Sequence, residues 1–175
     1  MRDGQDMQPK RSIALIGMAG AGKSTVGKLL AQELQYAFVD TDDRIREING
    51  TSLKGIIDQV GLAAFKQKEA EAVLTLQADA TVIATGGSVV YSAEAMRHLQ
   101  TFATIVWLKL SHETIKARIG NPAERGLVVQ PGQTIDALFN EREPLYAKYA
   151  DATIDAEALS PAQIAAAIRQ AVNHA

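Results

Sequence analysis

The stretch Gly17 to Thr25 reads GMAGAGKST, and its Gly17, Gly22, Lys23 and Ser24 fit the spacing G-x-x-x-x-G-K-[ST]. Glycines let a backbone turn tightly and aim successive N–H groups inward. A helix that starts behind such a turn adds the positive end of its dipole, so the assembly grips phosphate oxygens. In such a loop the lysine, here Lys23, reaches the β- and γ-phosphates, and the hydroxyl, here Ser24, holds Mg²⁺. The next chemistry-bearing cluster is FVDTDD, with carboxylates at Asp40, Asp42 and Asp43. Of Asp40 and Asp42, one can support a magnesium shell while the other takes a proton from a hydroxyl. A helix N-cap is the competing reading of DTDD, open to Asp43 more than to Asp40 or Asp42.

These residues need elements to hold them. SIALIG, before the loop, reads as a buried strand, and KSTVGKLLAQEL behind it as a helix with Val26, Leu29, Leu30 and Leu34 on one side. AFVD reads as a second strand, which puts the carboxylates at its carboxyl end, where open parallel sheets collect ligands. Three helices (DTDDRIREING, SLKGIIDQV and LAAFKQKEAEAVLTLQA) precede a strand, TVIATGG, that runs into a glycine turn. SAEAMRHLQ is helical, FATIVWLKL a strand, and SHETIKARIG a helix. NPAERGLVVQPGQ, with two Pro and two Gly in thirteen residues, reads as a mobile loop. TIDALFNEREPLYAKYA is helical, DATID is a strand, and PAQIAAAIRQAVNHA is a terminal helix with Pro161 in its first turn. Strands alternating with helices predict a parallel sheet covered on both faces, a three-layer α/β/α sandwich in one domain, 1–175. The polar residues 1–10 read as a disordered tail.

Composition narrows the class. The chain has 175 residues, 47% apolar and 22% charged, as in a soluble globular domain. A net charge of −2 does not favour nucleic-acid binding. The absence of cysteine excludes disulfides and cysteine metal sites. No apolar run approaches the roughly 20 residues of a membrane span, and the start has no apolar signal-peptide core. A cytoplasmic protein, monomeric and without a membrane partner, is expected. A guanine-reading NKxD segment is missing.

GMAGAGKSTVGKLLAQEL, FVDTD, ATGG and NEREPLYAKYAD, in that order and spacing, resemble the shikimate kinase family over nearly the whole chain. The resemblance implies a nucleoside-monophosphate-kinase-like P-loop fold with five parallel strands, a substrate-binding helical segment over 36–78 and a lid over 121–133. It implies ATP, Mg²⁺ and transfer to the 3-hydroxyl of shikimate. By the same resemblance Gly20, Ala21, Gly22, Lys23, Ser24 and Thr25 form the ATP loop, Arg118 lies beside the adenine, and Arg125 closes over the phosphates. Asp40 joins Ser24 near magnesium. Asp42 holds the acceptor hydroxyls and acts as base. Gly86 and Gly87 bring backbone to the acceptor, and Arg142 grips its carboxylate.

Three positions depart from the family pattern. Lys66, after Phe65, stands where the family has an arginine sharing the carboxylate clamp, and a lysine lacks the planar fork. Glu69, one helical turn on, is expected to hold Lys66. Ser88 replaces a third glycine, and Gly126 replaces a proline in the lid. Two of these fall where substrate is read. The acceptor is therefore shikimate or another small hydroxy acid such as homoserine or gluconate. A nucleotide-binding regulator without catalysis is a further alternative, disfavoured by the retained Lys23, Asp42 and Arg125.

Overall fold

The computed structural model describes residues 12–120, 127 and 129–173. The expected tail over 1–10 and the lid positions 121–126 and 128, with Arg125 and Gly126 among them, lie outside the described residues. Along the chain run β1 (Ser12–Ile16), α1 (Lys23–Leu34), β2 (Ala37–Asp40), α2 (Thr41–Asn49), α3 (Leu53–Leu74) and β3 (Thr81–Ala84). A short 3₁₀ turn (Val89–Tyr91) follows, then α4 (Ala93–Phe102), β4 (Ala103–Lys109), α5 (His112–Ile119), α6 (Ile135–Tyr149), β5 (Ala152–Asp155) and α7 (Pro161–Asn173).

The five strands form one parallel sheet in the order β2-β3-β1-β4-β5. All five residues of β1 are buried, which is why SIALI carries no polar alternation: a central parallel strand is covered on both faces. The chain places β3 on one side of β1 and β4 on the other. That reversal opens a crevice at the carboxyl end of β1, where the glycine-rich loop begins.

Local details depart from the sequence reading. The two helices expected either side of Gly61 run together as α3, broken at that residue (φ 80°, ψ 168°). Phe102 ends α4 instead of opening β4. The 3₁₀ turn at Val89–Tyr91 was not foreseen. The main core lies around the sheet, between α1, α4, α6 and α7. A second, smaller apolar cluster joins Ile45 of α2 to Leu53, Ile56, Phe65 and Ala72 of α3. No helix among the described residues is long and apolar enough to cross a membrane.

Candidate active site

Helices α2 to α6 each begin on a side chain that caps their first N–H groups: Asp40, Ser52, Ser92, Ser111 and Thr134. Helix α1 begins instead on Gly22, left-handed at φ 91° and ψ 16°, with no side-chain cap. A left-handed residue here favours glycine, and the open helix start is what an anion needs. Ala21 points inward, its N–H bonded to the Met18 carbonyl at 3.1 Å. Lys23 is buried, and its Nζ donates to the carbonyls of Gly17 (2.7 Å) and Met18 (2.8 Å). Burial draws its pKa down to about 8, against the pull of the Asp42 and Asp40 carboxylates. A cleft of about 430 Å³ opens here, lined by Gly20, Gly22, Lys23, Ser24 and Thr25 of the loop and by Asp42 and Arg118. Arg118 is exposed, its Nη1 3.4 Å from the Gly20 carbonyl.

Asp40 ends β2 in an extended conformation, and α2 starts at the following residue. The cap open to Asp43 falls instead to Asp40, whose Oδ1 accepts from the N–H groups of Asp42 (2.9 Å) and Asp43 (3.4 Å). Asp43 pairs with Arg46 instead. The other oxygen, Asp40 Oδ2, accepts from Ser24 Oγ at 2.5 Å. A hydroxyl and a carboxylate meeting beside the phosphate loop are hard oxygen donors of the kind Mg²⁺ takes alongside phosphate. Asp42 sits one residue into α2. Burial raises its pKa, Asp40 raises it further, and Lys23 and Arg46 oppose.

Opposite the loop, the turn after β3 presses backbone into a polar pocket. A Cβ on Gly86 would lie 1.9 Å from Glu69 Oε1 and 3.0 Å from Asp42 Oδ1, so a side chain there would require the Glu69 carboxyl to move. A Cβ on Gly87 would lie 3.0 Å from Arg142 Nη1. Arg142 is 1% exposed, and its Nε donates to Tyr91 Oη at 3.3 Å. Burial works against its charge, but Tyr146, Tyr91 and Glu69 outweigh that. Tyr146 Oη donates to the Gly87 carbonyl at 2.6 Å and its ring stacks on Trp107. Thr41 Oγ1 accepts from the Gly86 N–H at 3.1 Å, fixing the turn to α2. Three buried side-chain oxygens gather here without a partner: Asp42 Oδ1, Glu69 Oε2 and Ser88 Oγ.

Glu69 does not hold Lys66. It faces Asp42, Arg142 and Lys23 and accepts from the Ser88 N–H, whereas the Lys66 ammonium stands 4.0 Å above the centre of the Tyr91 ring. The i, i+3 spacing makes the pairing possible, but Glu69 is buried toward Gly86 and Lys66 is half-exposed toward the 3₁₀ turn. Burial, reinforced by Asp42, lifts the Glu69 pKa from 4.5 to about 8. The folded state thus keeps a proton that the unfolded chain releases, so this contribution to stability is full below pH 4.5 and is lost as pH rises through 8. Glu69→Gln, which mimics the protonated acid, should match the parent at pH 5 and have the higher Tm at pH 8. A thermal melt at each pH checks this, and equal Tm values at pH 8 refute it.

The structure thus brings Gly20, Gly22, Lys23, Ser24, Asp40 and Asp42 together around the cleft, with Gly86, Gly87 and Arg142 beside them. Lys66 joins the Arg142 side through Tyr91. Sequence reasoning missed Tyr91, Tyr146, Thr41 and Glu141. Tyr146 was within reach, four residues after Arg142 on one helix face.

A family profile described as shikimate kinase matches residues 19–173. A shikimate kinase of Sulfurihydrogenibium sp. is 36% identical over 157 residues, covering 88% of this chain and 93% of its own. The solved shikimate kinase from Acinetobacter baumannii, in complex with shikimate, superposes with a TM-score of 0.87 at 30% identity, covering 94% of this chain and 93% of its own. The enzyme from Aquifex aeolicus superposes at 0.80 with 32% identity, covering 93% of this chain and 96% of its own. With its phosphate loop, paired aspartates and glycine turn in one crevice, the chain belongs to the shikimate kinase family.

Proposed function

We propose that the chain transfers the γ-phosphoryl group of ATP to the 3-hydroxyl of shikimate. The observation that carries this reading is the buried cation Arg142 beside the Gly86-Gly87 backbone and the three partnerless oxygens. That pocket suits a small molecule with one carboxylate and several hydroxyls. Among its relatives, the Acinetobacter baumannii enzyme was solved with shikimate.

In this reading Arg142 and Lys66 face the acceptor carboxylate, and the backbone of Gly86 and Gly87 closes over the ring. Asp42 receives the hydroxyl proton as the new oxygen–phosphorus bond forms and the bond to the β-phosphate oxygen breaks, leaving ADP. Its raised proton affinity makes it a better base than a free aspartate. Lys23 balances the charge of the transferring group. Ser24 and Asp40 are the residues to hold Mg²⁺, which when bound neutralises phosphate charge. Arg118 flanks the nucleotide base from the open side of the cleft, and Arg125 is assigned to the lid on sequence alone.

The test is acceptor-dependent ADP release with shikimate, homoserine and gluconate. Shikimate should give the highest kcat/KM. A higher value for homoserine or gluconate would reassign the acceptor, and no release with any acceptor would favour a nucleotide-binding regulator.

A further inference from the structure

We propose that Tyr91 is the positioning residue of the acceptor-carboxylate clamp, holding the Lys66 ammonium on its ring face and the Arg142 guanidinium by its hydroxyl. This deepens the reading above and rests on it for the identity of the acceptor.

Tyr91 ends the 3₁₀ turn that leaves the glycine turn, and the backbone bonds Val89 N–H to Gly86 (3.4 Å) and Tyr91 N–H to Ser88 (3.1 Å) set its place. Its ring is thereby tied to the backbone that faces the acceptor. The Lys66 ammonium lies 4.0 Å from the ring centre and the Arg142 guanidinium carbon 5.4 Å, both within the range in which an aromatic face attracts a cation. The Tyr91 hydroxyl donates to Glu141 Oε1 at 2.6 Å while accepting from Arg142 Nε at 3.3 Å. Glu141 Oε2 in turn accepts from Gln133 Nε2 at 2.9 Å.

The chemistry explains why a tyrosine is useful here. A lysine is a point charge on a flexible stem and cannot lock itself onto a carboxylate with a planar fork. Glu69, one turn along α3, faces Arg142 and leaves Lys66 without that anchor. The ring face supplies the missing orientation. Lys66 and Tyr91 thus work as a matched pair, two elements supplying what one arginine supplies alone. Glu141, at the far edge of the ring, feels both cations and is held ionised by Tyr91.

The experiment compares Tyr91→Leu and Tyr91→Phe with the parent, with KM and kcat measured for each on the best acceptor of the ADP-release panel. Tyr91→Leu should raise the acceptor KM about tenfold and leave kcat and the ATP KM within about twofold. Tyr91→Phe keeps the ring but loses the hydroxyl that accepts from Arg142, so its acceptor KM should fall between those of the parent and Tyr91→Leu, and a KM equal to the parent's overturns the hydroxyl's share of the proposal. An acceptor KM for Tyr91→Leu within about twofold of the parent overturns the proposal. So does an equal fall in kcat and both affinities, which marks general damage. A second readout needs no turnover. In protein carrying ¹³C-dimethylated lysines, the Lys66 resonance, assigned by its loss in Lys66→Arg, should lie upfield under the ring current and return downfield in Tyr91→Leu. An unshifted Lys66 resonance in the parent overturns the proposal even if Tyr91→Leu fails to fold. If shikimate is not the acceptor, the function reading fails while the KM comparison on the true acceptor still decides on Tyr91. If no acceptor is used, the resonance decides.

Discussion

Lys23→Ala should lower kcat on the order of 10³-fold while leaving the fold intact. Phosphoryl transfer requires little covalent chemistry of the protein; positioning and charge neutralisation carry it, and Lys23 is the buried cation at the loop. Its ammonium is held by the Gly17 and Met18 carbonyls, so it is in place before any ligand arrives. Because burial lowers its pKa to about 8, the free protein loses this charge as pH passes 8. The kcat/KM for ATP should therefore fall above that pH in the parent. The stability consequence has the opposite sign: between about 8 and 10.5 the unfolded chain holds the proton more tightly, so folding stability rises with pH there. Lys23→Met, which keeps the stem, should lose that rise. Near-parental kcat in a folded Lys23→Ala protein would remove the loop from the mechanism.

Asp42→Asn should bind ATP as the parent does and lose turnover by about 10²- to 10⁴-fold. The substitution preserves shape but removes the proposed base, a carboxylate beside Gly86, and with it the proposed anchor for the acceptor hydroxyl. It also removes the largest carboxylate pull on Lys23, whose pKa should fall further. Titration with ATP and single-turnover rates at saturating acceptor separate the two effects. A kcat within about tenfold of the parent would take Asp42 out of the proton transfer.

What could be read from sequence was whatever depends on spacing within one segment. The loop at Gly17 to Thr25 is a backbone device announced by its own glycines, and SIALI shows its burial in its composition, whereas AFVD is an edge strand that the structure leaves only partly buried. Strand–helix alternation was enough for the parallel sheet because right-handed crossovers leave few other arrangements. Contacts between distant segments were legible only as far as the family resemblance carried them, as for Ser24 with Asp40. The Lys66 side chain could pair with Glu69 by helix geometry, and only the placement of Tyr91 on another element shows where the ammonium goes. The cap at Asp40 was missed because it depends on where β2 stops, a boundary of one residue.

The small apolar cluster of α2 and α3 has a consequence for how the molecule breathes. Asp42, Lys66 and Glu69 ride on the segment that this cluster holds together, whereas Lys23 and Arg142 belong to the body built around the sheet. The acceptor pocket is the seam between the two. A unit with its own modest core can open on its own, at a lower free energy than the whole, so amides of α2 and the first half of α3 should exchange through partial opening and those of β1 only on complete unfolding. A molecule seated in that seam would tie both units together, so amide exchange in α2 and the first half of α3 should slow when the acceptor is bound.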